Sequence, residues 1–366
     1  MMRSVVADWR AWMLLAVAWL CGAMVSAAEV RYELAFPNPP GYQTLVCDFH
    51  MHTVFSDGSV WPPTRVNEAW RQGLDAIAIT DHLEYQPHKA DVSTDFERSY
   101  QLMEGPAKTH RMLLVKGAEI TRDTPPGHFN CLFLKEIKPL FTPEFLDAIR
   151  AANEQGAFVF WNHQGWKGEE KGQWQEVHTQ MFEKKWFQGM EVANGEQYYP
   201  TAHQWCLEKN LTMLGNTDIH EPDVRLKSLS NEHRTMNLLF VKEATLDGLK
   251  EALKAGRTAV WYKDQLIGRP EWLEALFKAG IHVGQPTVRA KTGVTVEVRN
   301  DFPADICLER PGAFRLEKIV LPAKSTSLLK LTVPDGNKPA ELEYTATTLL
   351  VAPGKCLTVK LSIPGR

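Results

Sequence analysis

The sequence contains short groups in which histidine and acidic residues stand one or two positions apart. The segment DFHMH begins at Asp48 and is followed by Asp57, and the segment DIH begins at Asp218 with the same spacing of two. Side chains two positions apart on a strand point to one face, so His50 and His52 have the spacing of a metal chelate. Each group taken alone also fits a buried Asp–His hydrogen bond, a helix cap or a core histidine.

These groups share a position at, or just past, the end of an apolar run that resembles a strand. The candidate metal ligands are His50, His52, Asp57, His82, Glu119, His128, His163, Asp218 and His220. The strand ends of a (β/α) barrel converge on one face, where active sites are built. One shared metal site explains all of the groups together, whereas the structural alternatives need a separate reason for each.

The number of candidate ligands predicts more than one metal ion. Six imidazoles and three carboxylates exceed the roughly four to six ligands that one divalent ion takes. The set therefore predicts two or three ions that share bridging carboxylates. Clustered divalent ions are the usual apparatus of phosphate-ester hydrolysis, because they lower the pKa of bound water and stabilise the leaving oxyanion. The mixed nitrogen and oxygen ligands suit Zn, Mn and Fe alike.

The elements that must position these residues change along the chain. From Leu45 to about Tyr262, strand-like runs alternate with helix-like segments, which favours a parallel sheet or a (β/α) barrel. Beyond Gly284, short β-type runs are split by Pro and Gly and predict a small all-β module, a sandwich by its pattern. The predicted divisions are 1–28 as a signal peptide, 29–283 as a hydrolase barrel with its core at 45–262, and 284–366 as a β domain.

The first 28 residues have the features of a secretory signal peptide. Arg3 and Arg10 precede the uncharged apolar run Ala11–Met24, and small residues follow it. This run is shorter than the ~20 residues that a membrane-spanning helix needs. We therefore expect cleavage, no membrane span afterwards, and a periplasmic or secreted protein. An uncleaved anchor helix is the alternative.

Composition and cysteine usage narrow the class of protein. The chain has 366 residues, a net charge of -3, 44% hydrophobic and 23% charged residues, which indicates a globular protein and argues against a broad basic nucleic-acid-binding face. Removal of the signal peptide takes Cys21 with it and leaves five cysteines, which cannot all pair within one chain. Cys307 and Cys356 lie in the same β-rich segment and are the one pair that we predict as a disulfide.

The ordered motifs resemble those of the PHP superfamily, the polymerase and histidinol phosphatase domain. They cover roughly 45–262 and read HMHTVFSDG, ITDH, GAEIT, GHFN, WNH, GMEVANG, GNTDIH and AGRTAVW. The resemblance implies a distorted (β/α)7 barrel, a di- or trinuclear site and cleavage of phosphate esters. A β addition like the one after the barrel accompanies exported bacterial members. Two departures are Asp57, where some members have His, and Trp161-Asn162 before His163, where many members have a small residue before the His and a Pro after it.

The resemblance also implies a division of the ligands among ions. His50, His52, Glu119 and Asp218 would hold one metal. Glu119 would bridge to a second metal held by His128 and His163, and Asp57, His82 and His220 would hold a third. We hypothesise that a metal-bridging hydroxide attacks phosphorus in line, with Glu119 as the carboxylate bridge. Asp81 is predicted either to orient a ligand or take a proton, or to make a structural hydrogen bond.

Substrate contacts are predicted outside the metal ligands. Arg234 precedes an apolar strand, and we expect its guanidinium to bind a phosphoryl oxygen through two hydrogen bonds. A surface salt bridge is the alternative. The polar segment Gly165–Lys185 carries Trp166 and Trp174 and is typical of a surface insertion used as a lid.

Three functions compete at this stage. The first is an exported, metal-dependent phosphatase or phosphodiesterase acting on small organic or nucleotide esters. The second is an oligonucleotide exonuclease, against which the acidic balance and the predicted signal peptide count. The third is a catalytically inactive metal-binding or carbohydrate-binding surface protein, which the intact ligand set disfavours. The expected partner is thus a small phosphate ester rather than a nucleic acid, and the sequence indicates no oligomeric state.

Overall fold

Helices and strands alternate through the first part of the chain. The computed structural model describes residues 29–223, 233–311 and 316–366, so the predicted signal peptide lies outside the described residues. Arg31–Arg366 form one compact unit. Among the described residues we find no helix with the length and apolar character to cross a membrane.

The strands of this part are short and mostly buried. They are β1 Gln43–Asp48, β2 Ala76–Ile79, β3 Leu113–Ile120, β4 Phe129–Leu132, β5 Phe158–Trp161, β6 Gly189–Asn194, β7 Gln197–Tyr198, β8 Thr212–Asn216, β9 Met236–Val241, β10 Thr258–Tyr262 and β11 Gln265–Gly268. Strands such as β2 (AIAI) and β5 (FVFW) are buried at every position. Continuous apolar runs of this kind are typical of strands that are covered on both faces.

Helices connect many of these strands. They are α1 Pro62–Arg71, α2 Arg98–Thr109, α3 Phe145–Glu154, α4 Glu176–Glu183, α5 Pro200–Glu208, α6 Leu246–Lys254 and α7 Pro270–Gly280. Thr245 caps α6 by accepting a hydrogen bond from the backbone nitrogen of Gly248 at 3.0 Å. The segment 165–185, predicted as an insertion, contains α4, whose first turn has a capping box formed by Gln175 and His178.

The strand pairing is mixed. β1, β2 and β3 are parallel, and so are β5, β6 and β8. β4 is antiparallel to both β3 and β5, and β9 is antiparallel to both β1 and β10. An isolated parallel bridge between Met51 and Ile219 joins the end of β1 to the segment after β8. The α/β class predicted from the alternation is confirmed, but the sheet is mostly rather than wholly parallel, since β4, β7, β9 and β11 run against their neighbours.

The C-terminal part consists of strands with alternating burial. They are β12 Ile281–Val283, β13 Val288–Ala290, β14 Gly293–Asn300, β15 Ile306–Pro311, β16 Leu316–Leu321, β17 Ser325–Thr332, β18 Ala340–Ala352 and β19 Lys355–Ile363. β14 pairs with β12, β13 and β17, and β18 pairs with β15 and β19. β18 also runs parallel to β11, so β15, β16, β18 and β19 continue the sheet of the first part. The strands β12, β13, β14 and β17 form a separate four-stranded sheet.

The predicted Cys307–Cys356 disulfide is wrong. Both cysteines are free. Cys307 is on β15 and Cys356 is on β19, and these strands both pair with β18. Two inter-strand spacings of about 4.8 Å separate such strands when they flank a third, which exceeds the ~7 Å limit between the Cα atoms of a disulfide.

Candidate metal centre

The nine predicted ligands come together at one edge of the sheet, and we call them the ligand cup. His50 and His52 follow β1, His82 follows β2, Glu119 is in β3, His163 follows β5, and Asp218 and His220 follow β8. His128 comes just before β4 rather than after it. Because β4 is antiparallel to its neighbours, its beginning lies at the edge where β3 and β5 end.

The cup divides into four overlapping groups whose ligand atoms lie within 4.8 Å of one another. The groups are His52, Asp57, His82 and His220; His50, Glu119 and His163; His50, His52 and Asp218; and His82, Glu119 and His128. Asp218 Oδ1 lies 3.0 Å from the Nε2 atoms of both His50 and His52. Glu119 takes part in two groups, as a bridging carboxylate requires. His52 joins Asp57, His82 and His220 in addition to the partners that the resemblance implied.

Several buried ligand atoms of the cup make no hydrogen bond, although other ligands of the cup lie within ion-pair distance of some of them. Among the described residues, the buried atoms without a hydrogen bond include His50 Nε2, His52 Nε2, Asp57 Oδ1, Glu119 Oε2 and His163 Nδ1. A buried polar atom left without a partner costs about 1–3 kcal/mol. Cations bound among these atoms would satisfy them, so the residues present fit a set of divalent ions.

The electrostatics of the cup keep its carboxylates charged and His52 neutral, but they raise the pKa of His50 and of His82. Burial alone would lower these two pKa values, but Asp218 beside His50 and Glu119 beside His82 outweigh it. Burial alone would raise the pKa of Glu119, but the nearby imidazoles, His82 first, hold that pKa well below its usual value. Asp218 behaves in the same way beside His50. Burial, followed by the charge of His82, lowers the pKa of His52 to about 3. A neutral imidazole and an ionised carboxylate are the forms that bind metals.

Glu191 supports the cup from below and was assigned no role from the sequence. It is fully buried at the middle of β6, and its Oε1 lies 2.8 Å from His50 Nδ1. Its Oε2 accepts the backbone N–H of His163 at 2.8 Å. Such a carboxylate fixes the orientation and tautomer of a metal-binding histidine. The signal that could have revealed it is a lone Glu inside the apolar run GMEVA.

The residue before His163 also contacts the cup. Asn162 donates a hydrogen bond from Nδ2 to Glu119 Oε1 at 2.8 Å, and its backbone N–H donates to the carbonyl of His128. The asparagine that departs from the family pattern therefore positions the Glu119 carboxylate. His163 itself has a φ of 24°, in the left-handed region, a strained conformation that the surrounding contacts must maintain.

Asp81 lies behind the cup rather than in its cavity. It accepts hydrogen bonds from the Thr53 backbone N–H at 2.7 Å and from the hydroxyls of Thr53 and Ser56 at 2.8 Å. The Ser56 hydroxyl is in turn 3.2 Å from His52 Nδ1. Burial raises the pKa of Asp81, and these hydrogen bonds partly oppose the increase. Its contacts agree with the orienting and structural alternatives of the prediction.

Arg234 is not placed to contact a substrate. Its side chain is buried, and it donates to Asp48 at 3.2 Å, to Asp223 at 2.7 Å and to Gln72 Oε1 at 2.8 Å. It does not line the cavity described below. The predicted contact with a phosphoryl oxygen is therefore not supported, because the guanidinium is engaged by buried acceptors inside the protein.

A second buried arginine, Arg65, joins two segments of the cup. Its Nε donates to the carbonyl of His52 at 2.9 Å, and its Nη2 donates to the carbonyl of His220 at 2.6 Å. Its Nη1 donates to Glu68 at 2.8 Å. The sequence offered no signal for this role, because Arg65 occurs in an ordinary amphipathic helix. We call Arg65, Arg234, Asp48, Glu68 and Asp223 the arginine layer.

A cavity of about 780 Å³ opens above the cup. Its base is formed by six of the cup residues, namely Asp57, His82, His128, His163, Asp218 and His220, and its wall includes Tyr85, Arg122, Lys167, Trp166 and Tyr199. The predicted lid residue Trp166 lines this wall. Trp174 does not, because its ring packs against Trp161 and Trp205 in the aromatic core.

Comparison with known proteins agrees with this geometry. No protein-family model and no curated protein matches the sequence. A crystal structure from Bacteroides vulgatus, described as a two-domain protein containing a predicted PHP-like metal-dependent phosphoesterase, shares 41% identity and a TM-score of 0.87. The match covers 92% of this chain and 100% of the other.

Two further solved structures are more distant. A candidate metal-dependent phosphoesterase from Bifidobacterium adolescentis shares 17% identity and a TM-score of 0.40, over 60% of this chain and 98% of the other. An amidohydrolase from Chromobacterium violaceum with bound sulfate shares 14% identity and a TM-score of 0.37, over 48% and 88%. These two similarities are too low to support an argument. The Bacteroides structure is sufficient, and this chain belongs to the PHP-like metal-dependent phosphoesterases.

Proposed function

We propose that this protein hydrolyses phosphate monoesters or diesters of small organic or nucleotide compounds, with two or three divalent ions held by the ligand cup. The observation that supports the proposal is the set of buried ligand atoms without a hydrogen bond in the ligand cup, six of whose residues line a large open cavity. Zn, Mn and Fe all suit this mixed nitrogen and oxygen set.

The residues of the cup have separable roles in this proposal. Divalent ions bound there supply Lewis acidity toward phosphoryl oxygens and lower the pKa of water. Glu119 connects two ligand groups and is held by Asn162. Asp81 fixes the segment 53–56 behind His52. The cavity above the cup receives the organic part of the ester, which needs more space than the phosphoryl group alone.

The proposal extends to the organisation of the chain. On this view residues 29–283 form a distorted (β/α)7 barrel, supported by the Met51–Ile219 bridge and by the Asn237 side chain. That side chain accepts a hydrogen bond from the Gly215 N–H at 2.9 Å and donates one to its carbonyl at 2.8 Å, and so links β8 to β9. Residues 284–366 form a β domain. Residues 1–28 are a cleaved signal peptide that directs the protein to the periplasm or the medium, and N-terminal sequencing of the protein from each cell fraction tests this.

The hydrolysis of p-nitrophenyl phosphate and of its bis ester tests the activity. The protein is freed of metal with a chelator, reloaded with Mn, Zn or Fe, and assayed for p-nitrophenol. We expect release that disappears with the chelator and returns with metal. Release from the bis ester alone means a phosphodiesterase, and release from the monoester means a phosphatase. Absence of release from both esters, with metal measured in the protein, would contradict the proposal.

Oligonucleotides provide the comparison for the exonuclease alternative. Under the same conditions we expect small esters to be cleaved more efficiently than a single-stranded oligonucleotide, because the two cations of the described cavity wall, Arg122 and Lys167, are each paired with a carboxylate. A preference for the oligonucleotide would favour the exonuclease instead.

A further inference from the structure

The cavity wall carries two aromatic side chains with large exposed surfaces. Trp166 is 45% exposed and Tyr85 is 53% exposed, and both line the cavity. Single exposed aromatic residues are common on protein surfaces, but two that line one cavity above a group of metal ligands offer a contact surface for a ligand. A volume of about 780 Å³ is also within the ~300–1,000 Å³ range of pockets that bury a whole organic ligand.

Trp166 lies directly beside the metal ligands. The centroid of its ring is 5.5 Å from that of His128 and 5.6 Å from that of His163. A group that stacks on this indole would therefore be close to an ester whose phosphorus is held at the cup. Tyr85 borders the cup at a different ligand, since its ring centroid is 6.2 Å from that of His82.

The segment that carries Trp166 is ordered by its own hydrogen bonds. The backbone N–H of Trp166 donates to the carbonyl of His163 at 3.0 Å, and the buried Gln164 donates from Nε2 to the carbonyl of Gly172 at 3.0 Å. A Cβ on Gly172 would lie 2.1 Å from the Gln164 carbonyl oxygen, so only glycine allows this close approach. The backbone that carries the indole is held in place before any ligand arrives, which reduces the entropy lost on binding.

The charges of the wall argue against a second phosphate as the group that occupies it. The guanidinium of Arg122 is engaged by Glu84 and by the carbonyl of Thr142. The ammonium of Lys167 lies 2.5 Å from Asp123 Oδ1 and 4.8 Å from the centre of the Trp166 ring. With both cations already neutralised, the wall favours an uncharged group with a flat face.

We propose that Trp166 is a stacking platform for a planar aromatic or heteroaromatic ring of the substrate, so that aryl and nucleoside-type phosphate esters are preferred over aliphatic ones. This inference rests on the proposed function, because it assigns the substrate class of the same site. Stacking on an aromatic side chain contributes about ten-fold in affinity per ring.

The first test measures how kcat/KM for each ester changes between the wild type and variants of Trp166. Phenyl phosphate and ethyl phosphate are assayed with the metal-loaded wild type, Trp166→Ala and Trp166→Phe. We expect Trp166→Ala to lower kcat/KM for phenyl phosphate about ten-fold and for ethyl phosphate less than two-fold, and Trp166→Phe to restore most of the loss. Equal losses for the two esters would overturn the proposal, because they indicate that Trp166 only positions His128 and His163.

The second test measures binding and does not depend on turnover. Phenylphosphonate, cyclohexylphosphonate and ethylphosphonate are titrated into the same proteins by calorimetry, with metal content determined for each. We expect the wild type to bind phenylphosphonate about ten-fold more tightly than the other two, and Trp166→Ala to lose that preference. Equal affinity for the phenyl and cyclohexyl compounds would overturn the requirement for a planar ring.

Trp61→Ala removes a tryptophan that is 55% exposed and lies outside the cavity, and it should leave the preference unchanged. A wild type that hydrolyses neither these monoesters nor bis(p-nitrophenyl) phosphate contradicts the proposed function, while a phenylphosphonate preference that depends on Trp166 still supports the platform. A wild type that hydrolyses both esters but binds the three phosphonates equally contradicts the platform alone.

Discussion

The ligand cup and the arginine layer are both buried and both rich in charge, but they differ in how those charges are satisfied. In the arginine layer, Arg65 donates to Glu68, and Arg234 donates to Asp48 and Asp223. Within the described part of the chain, no side-chain atom of the layer is both buried and without a hydrogen bond. In the cup, five ligand atoms are in that state.

The difference separates structural charge from functional charge. Burying a charge is expensive unless protein partners or a metal compensate it. The layer is compensated within the protein and holds the segments of His52 and His220 in place. The cup is compensated only in part by its own imidazoles, and bound cations would satisfy the atoms that remain without a hydrogen bond. Changes in the cup should therefore act on metal and turnover, and changes in the layer should act on folding.

The largest effect is expected from the cup. The double variant His50→Ala and His52→Ala removes ligands from three of the four groups. We expect bound metal and turnover to be lost together, with a decrease in activity of about 10³-fold or more, while the protein still folds. Metal analysis of the purified protein and the ester assay measure both. His88→Ala, which changes an exposed histidine outside the cup, is the control. Wild-type turnover in the double variant would show that the cup is not the active site.

The layer should respond in stability instead. Arg234→Met removes the cation that faces Asp48 inside the protein, and breaking a buried ion pair in this way costs about 3–5 kcal/mol. Urea unfolding measures the loss. Adding Asp48→Asn should recover part of it, since the uncompensated charge is then gone. Arg150→Met, at an exposed ion pair with Asp147, should change stability by no more than about 0.5 kcal/mol. A similar value for Arg234→Met would remove the distinction between the two regions.

His178 is a buried histidine outside the cup, so we expect its protonation to act on stability, as changes in the arginine layer do. The pH dependence of unfolding tests this expectation. His178 accepts the N–H of Gln175 at Nδ1 (2.9 Å), while its Nε2 lies 2.8 Å from the Pro126 carbonyl and donates to it. Burial lowers the pKa of His178 to about 4, although the Pro126 carbonyl opposes this. The unfolded chain, with a pKa near 6.5, takes up the proton first.

The stability that the neutral His178 contributes is therefore complete above pH 6.5 and is lost as the pH falls toward 4, by about 1.4 kcal/mol per pH unit. Between pH 6.5 and 5 we expect a loss of about 2 kcal/mol that is absent from His178→Gln. Urea unfolding of the metal-free proteins at both pH values measures the difference, and His88→Gln should retain the wild-type dependence. The same slope in His178→Gln would contradict the assignment.

The smallest effect is expected from Glu191, which connects the cup to the sheet beneath it. Glu191→Gln keeps the size of the side chain but weakens the contact with His50 Nδ1. Loss of such a supporting carboxylate lowers metal affinity about 10–100-fold, which competition with a coloured chelator measures. Glu196→Gln, at an exposed position of the cavity wall, is the matched control. Unchanged metal affinity in Glu191→Gln would mean that Glu191, like the charges of the arginine layer, serves the structure and not the metal site.

Much of the cup could be predicted because its ligands are encoded locally. His50 and His52, and likewise Asp218 and His220, have strand spacing, and each group follows an apolar run that became a buried strand. Strand ends meet at one edge of a sheet, so local order along the chain indicated proximity in space. The direction of β4 was not encoded in this way, because an apolar run reads the same in either direction.

The residues that were misplaced or missed depend on contacts between distant segments. Arg234 is 186 positions from Asp48, its partner in the layer, and a sequence does not tell whether an arginine points into a cavity or a core. Arg65 and Glu191 act through partners more than 140 positions away. Cys307 and Cys356 were expected to pair because they share a segment, whereas the order of strands in the sheet separates them.

The sequence by itself determined the class of fold, the identity of the nine candidate ligands and the chemistry they favour, because residue type and short-range spacing carry that information. Only the tertiary structure decided which ligands share a group, which buried charges are already compensated and which aromatic side chain borders the metal ligands. These features depend on distances between strands that are far apart in the chain, and those distances are set by packing of the whole unit rather than by any local pattern.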